Sequence, residues 1–208
     1  MSELRRELCQ NLSRWCAAHI EPHMEHDDAE GKFRFEIFQG LGEQGFTGMT
    51  LPEAYGGAGL DYGDYAACLE EIAKYSVAYA VTVSVSSMVQ TILKEYGNEA
   101  QKQKYLPALT EGREIGAFAL SESHAGSDAA SLKTTAKKVD GGYRLNGTKM
   151  WITSAGVAKT YIVMARTGGE GAKGVSAFIV RDGAEGFTYG KAEKKNGLEG
   201  LSYSRVSF

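Results

Sequence analysis

The chain has 208 residues, 43% apolar and 24% charged, enough for one large or two small domains with a buried core. Its 23 basic and 26 acidic residues leave a formal net charge of −3 and no cationic field for a phosphate backbone or an anionic bilayer, so neither nucleic acid nor a membrane surface is an expected partner. The three cysteines, Cys9, Cys16 and Cys68, form no CxxC pair, Ser2-Glu-Leu-Arg-Arg is not the apolar run of a signal peptide, and no stretch reaches the ~20 uninterrupted apolar residues of a membrane span; a reduced, cytoplasmic protein is expected.

Leu4, Leu8, Leu12, Trp15, Cys16 and Ile20 recur at helical spacing behind Ser2, which predicts an amphipathic helix ending near Pro22. A second helix is predicted over 33–44, carrying Ile37, Phe38 and Leu41 and closed by Gly45. Leu51-Pro-Glu-Ala-Tyr-Gly-Gly-Ala-Gly-Leu60 holds too much glycine and proline for a helix or a strand and reads as a connector. Helices resume at Asp61 or Asp64, the apolar run 77–96 predicts a buried helix whose valines would also suit a strand, and Asn98 caps a short helix ending around Pro107 and Gly112.

Beyond residue 112 the pattern changes. Sixteen of the 26 glycines lie from Gly112 onward, and the runs 115–120, 133–139, 143–146, 149–153, 160–165 and 175–180 are short and rich in β-branched and aromatic residues. Asp140-Gly141-Gly142 between two of them is a hairpin signal. The expected architecture is α+β: an all-α domain over 1–112, then an antiparallel barrel-like or sandwich β domain over 113–208.

Several chemistries find little support. Gly56-Gly57-Ala58-Gly59 has no strand before it and no Lys-Ser/Thr after it, so it is not a phosphate loop. His19, His23 and His26 have metal-ligand spacing on a helical face, but Pro22 interrupts the run and its acidic neighbours suit a solvated surface; no metal is expected. The informative segments are Ala117-Phe-Ala-Leu-Ser-Glu-Ser-His-Ala-Gly-Ser-Asp128 and Leu145-Asn-Gly-Thr-Lys-Met-Trp-Ile-Thr-Ser-Ala-Gly156. Each is a strand that runs into small and hydroxyl residues. Side by side, their backbone N–H groups, the hydroxyls of Ser121, Ser127 and Thr153, and the Trp151 ring would suit one flat, hydrogen-bonding ligand, although Trp and Thr in a sheet most often serve packing.

These two segments resemble the paired flavin-binding signatures of the acyl-CoA dehydrogenase family. The 51–59 connector, Glu70-Glu71-Ile72-Ala73, the run from Tyr96 to Pro107 and Lys173-Gly-Val-Ser-Ala-Phe-Ile-Val180 match that family in order and spacing, so the resemblance covers the chain from about residue 33 onward. It implies FAD as cofactor, with Phe118, Leu120 and Ser121 along the isoalloxazine edge, Trp151 and Ile152 against the ring, Thr153 near N5, and Ser127 on the pantetheine arm of a CoA thioester. It implies dehydrogenation of acyl-CoA at the α,β carbons to trans-2-enoyl-CoA, the α-proton going to a carboxylate and the β-hydrogen to the flavin as hydride. Electrons would pass to an electron-transferring flavoprotein, and the protein would be a homo-oligomer, a tetramer in the family.

Three departures stand out. Ser123 and His124 occupy the place of the motif's proline, Leu201 takes a usual serine position, and family members continue into a C-terminal helical domain where this chain stops. The resemblance places the catalytic base in that further domain, leaves Glu122 a structural role, and assigns none to Glu70, Glu71 or Glu193. The expectation is part of a dehydrogenase; the alternatives are a short, non-catalytic module that binds flavin or acyl-CoA, and a flavin oxidase or monooxygenase on the same fold. The wording of the β domain looks more like the short- and medium-chain branch.

Overall fold

A computed structural model describes residues 2–208. The chain divides into two compact units: residues up to Ile115 together with Lys194–Leu201, and Gly116–Glu193 together with Ser202–Phe208. The division falls three residues beyond the glycine-based boundary, and Lys194–Leu201 joins the helical unit instead of the β unit. There Leu201 is buried, and the Lys195 ammonium donates to its carbonyl at 2.8 Å. Glycine frequency marks loops; it does not say which core a loop's apolar residue enters.

In the helical unit, α1 (Glu3–His19) is capped by the Ser2 hydroxyl, which accepts from the Arg5 N–H, and it buries Leu12 and Cys16. Helix α1 ends near Pro22 as expected, but a second helix that was not expected follows at once. Pro22 sits in the first turn of α2 (Glu21–Glu30), where a missing N–H costs nothing. His19 therefore lies on a different helix from His23 and His26, and its ring stacks on Trp15 with centroids 4.5 Å apart. Helix α3 (Phe35–Glu43) buries Ile37, Phe38 and Leu41.

The 51–60 connector is irregular but ordered by its own hydrogen bonds. It makes a 3₁₀ turn at Glu53–Tyr55, and the N–H groups of Ala58, Gly59 and Leu60 donate to the carbonyls of Gly48, Leu51 and Met49. Asp61 then caps α4 (Tyr62–Tyr75), α5 spans Val77–Tyr96, and α6 (Glu99–Thr110) opens on a reciprocal capping box between Asn98 and Gln101. By length and hydropathy α5 could cross a bilayer. Its buried face instead packs in this unit, and the amide of fully buried Gln90 donates to the carbonyls of Thr47 at 2.9 Å and Leu109 at 3.2 Å.

The second unit has two open sheets. In the larger one, β5 (Thr160–Arg166) is central: β6 (Val175–Arg181) runs antiparallel along one edge for its full length, while β1 (Gly116–Ala119) and then β2 (Thr135–Val139) pair with it in parallel. The hairpin partner of β2 is β3 (Gly142–Asn146), joined by a turn in which Gly141 takes φ 77°. The smaller sheet is antiparallel, with β8 (Tyr203–Ser207) between β4 (Thr148–Thr153) and β7 (Thr188–Tyr189). The α+β class stands; the expected antiparallel pairing gains two parallel ladders at β5. No helix crosses between the parallel strands, whose connections run through loops and the hairpin. Ala117, Ala119, Tyr161, Val163, Ala165 and Val206 are buried in this unit.

Candidate functional site

The two motifs found in the sequence meet at the ends of β1 and β4. Beyond Ala119 the chain runs through Leu120 and Ser121, and the Met150 N–H donates to the Ser121 carbonyl at 2.8 Å. Beside that bond, the Lys149 ammonium donates to the Leu120 carbonyl at 2.9 Å and to the Glu122 carboxylate at 2.8 Å. Glu122 also accepts the backbone N–H groups of Lys133 at 2.7 Å and Thr134 at 2.9 Å. Four donors thus hold one buried carboxylate and the strand end that precedes it.

Burial pushes the Glu122 carboxyl up, but the hydrogen bonds from Lys149 and from the backbone amides of Lys133 and Thr134 outweigh it and hold the group down at about 2. Desolvation pulls the Lys149 ammonium below its ordinary value, partly offset by Glu122. A carboxylate that resists protonation to this degree, with its oxygens already occupied, is a poor proton acceptor near neutral pH. Glu122 is a structural anion.

Strand β4 carries a bulge at this point. Lys149 faces Val206 and Ile152 faces Ser204 on β8, so three steps on one strand match two on the other. The extra residue falls in the Met150–Trp151 stretch, where Trp151 adopts φ 56° and is 54% exposed. Ser154, with φ 64°, closes the other side of Ile152–Thr153. Non-glycine residues held in left-handed backbone cost roughly 1–3 kcal/mol each and cluster where geometry serves a ligand. The bulge re-aims one large aromatic ring out of the sheet.

Phe118, Leu120 and Ser121 are half-buried along the end of β1, Thr153 is nearly enclosed, and Ser127 is exposed in the loop after Glu122. Ile152 is buried and pairs with Ser204 on β8. Lys149 escaped the sequence reading. The only signal for it was an acid in one motif and a lysine in the other, with nothing local to say that they meet. Among the described residues, no cluster of three or more His, Cys, Asp or Glu side chains could hold a metal ion.

Comparison with known proteins gives this geometry its frame. Residues 2–113 match the family described as acyl-CoA dehydrogenase, N-terminal domain, and residues 117–208 match acyl-CoA dehydrogenase, middle domain. The chain belongs to the acyl-CoA dehydrogenase family. An acyl-CoA dehydrogenase of Bacillus subtilis (strain 168) is 44% identical over 191 residues, covering 91% of this chain and 50% of that protein. Butyryl-CoA dehydrogenase from Megasphaera elsdenii superposes with a TM-score of 0.92 at 37% identity, covering 100% of this chain and 56% of that one. A chain of the electron transferring flavoprotein structure of Acidaminococcus fermentans, described in terms of flavin-based electron bifurcation, superposes with a TM-score of 0.97 at 35% identity, covering 100% and 55%. The chain therefore spans about half the length of the family members it matches.

Proposed function

We propose that this chain supplies the flavin-binding and thioester-binding surfaces of an FAD-dependent acyl-CoA dehydrogenase, which converts an acyl-CoA to its trans-2-enoyl-CoA and passes the electrons to an electron-transferring flavoprotein. The carrying observation is the Lys149–Glu122 pair. It ties the Leu120–Ser121 strand end to the bulged β4 segment, and these two stretches carry the Ser121 and Thr153 hydroxyls and the exposed Trp151 indole. That set fits a planar heteroaromatic group better than a metal or a phosphate.

FAD, when bound, supplies a hydride acceptor. The chain's own part is to orient and to exclude: Trp151 offers an apolar face, Ser121 and Thr153 offer hydroxyls, and Ser127 on its exposed loop is the residue for the thioester arm. Proton removal at the α-carbon falls to a carboxylate other than Glu122, which is already saturated. Short acyl chains are the proposed substrates, in keeping with the likeness to butyryl-CoA dehydrogenase, and a homo-oligomer is the proposed assembly.

The test is an anaerobic titration of the flavin-loaded protein with butyryl-CoA and with octanoyl-CoA, following the flavin absorption and the acyl product. Bleaching with formation of the 2-enoyl thioester, stronger with butyryl-CoA, is the expected result. Bound flavin that no acyl-CoA bleaches would point to a non-catalytic module. Product oxygenation with consumption of dioxygen in a parallel aerobic reaction would point to a monooxygenase.

A further inference from the structure

The last residue of β5, Arg166, has no part in the surface described so far, yet its guanidinium is fully engaged. Its Nε donates to the Leu132 carbonyl at 3.1 Å, and Nη2 donates to Leu132 at 2.9 Å and to Ala130 at 2.6 Å. Its Nη1 donates to the carbonyls of Gly169 at 2.6 Å and Gly171 at 3.1 Å. These five bonds use all five N–H groups of the side chain, every one on backbone oxygen. The acceptors come from two loops. Ala130 and Leu132 belong to the segment that follows Ser127 through a 3₁₀ turn at Ala129–Ser131, and Gly169 and Gly171 belong to the β5–β6 loop, which ends in a second 3₁₀ turn at Ala172–Gly174. The two turns lie against each other.

We infer that Arg166 is a positioning residue for thioester binding: its guanidinium clamps the Ser127 loop to the glycine-rich β5–β6 loop and so fixes where Ser127 presents its hydroxyl. This rests on the reading of Ser127 as the thioester-arm contact. The chemistry explains the choice of side chain. A planar fork with five donors reaches four carbonyls on two sides at once, whereas an ammonium has three donors on a single atom. Fine anchoring is what the Ser127 segment needs, because it is exposed and has only local support, including a short bond from the Ser131 hydroxyl to Asp128. The tight seat of Gly174 belongs to the same device: a Cβ there would drive into the Gly169 carbonyl and press on Arg166 Nη1.

The experiment compares the flavin-loaded protein with its Arg166→Lys and Gly174→Ala variants. In Arg166→Lys, amide hydrogen exchange should rise in residues 126–132 and 168–174 and nowhere else, with the flavin spectrum and FAD affinity unchanged. KM for butyryl-CoA should rise about tenfold with kcat changed less than about twofold, since the loop orients substrate without touching the reacting carbons. The same KM ratio should appear with S-butyryl-pantetheine, which lacks the nucleotide. Gly174→Ala, which keeps the guanidinium, should raise exchange mainly in 168–174 and raise KM by a smaller factor. Unchanged exchange in Arg166→Lys overturns the clamp whatever the activity. A KM effect that vanishes with the pantetheine thioester overturns it too, by showing that Arg166 meets the CoA phosphates directly. Parallel loss of flavin and kcat would make Arg166 a general support of the β unit and remove the proposal. A wild-type protein whose flavin no acyl-CoA reduces would instead defeat the parent reading, and the assignment of Ser127 with it.

Discussion

The Lys149 ammonium and the Glu122 carboxylate neutralise each other out of water, 2.8 Å apart, with side chains 0% and 4% exposed. The two residues stand 27 positions apart in the chain, one in each flavin-type motif, so their pairing joins the motifs.

Removing one partner strands the other. Lys149→Met takes a donor from both Leu120 and Glu122 and leaves a buried carboxylate with two backbone amides and the partly exposed His124 ring 3.5 Å away, which should cost about 3–5 kcal/mol of stability. Urea unfolding at neutral pH measures it. A loss below about 1 kcal/mol would mean that water reaches the pair.

Acid should destabilise the β unit through the same carboxylate. Glu122 is held at about 2 in the folded chain against an ordinary 4.5, so as pH falls from about 5 the unfolded chain takes up the proton first. Its contribution, roughly 3 kcal/mol, is complete above pH 5 and is lost progressively toward pH 2. Urea midpoints measured across that range should fall steeply in the wild type and more shallowly in Glu122→Gln.

Trp151 separates stability from binding. Glycine accepts φ 56° without strain, and the indole is already half in water, so Trp151→Gly should change stability by no more than about 1 kcal/mol. Loss of the aromatic face should still weaken flavin binding about tenfold or more. Thermal unfolding and a flavin titration on the same sample decide this; equal damage to both would show the ring to be a packing element.

The 51–60 connector offers a contrast between two glycines. A Cβ at Gly57 would overlap the Leu51 carbonyl, whereas Gly59 has open space around it and a left-handed φ of 63°. Gly57→Ala should therefore destabilise the helical unit by about 3 kcal/mol or more, and Gly59→Ala by only about 1 kcal/mol, the cost of the backbone angle. Melting temperatures of the two variants test the order.

Local features were readable from the sequence because short-range physics decides them. Apolar spacing marked α1, α3 and α5, Asn98 announced the start of α6, and Asp140-Gly141-Gly142 announced the hairpin. Helix α2 was missed because the charged run Glu21–Glu30 has no apolar stripe, and β8 because Ser204 takes an inward place that alternation reserves for an apolar residue. The two motifs were visible as strand ends rich in small and hydroxyl residues, and the resemblance they carried named the family.

What the tertiary structure alone decided depends on groups far apart in the chain. The parallel pairing of β1 with β5, the placing of Lys194–Leu201 with the helices, the bulge that leaves Trp151 exposed, the Lys149–Glu122 pair and the four carbonyls around Arg166 are all of this kind. A lysine or an arginine in a sequence reads as a solvated charge. Only the fold brings the carboxylate or the ring of carbonyls that makes enclosing it favourable, as it does here for Lys149 and Arg166.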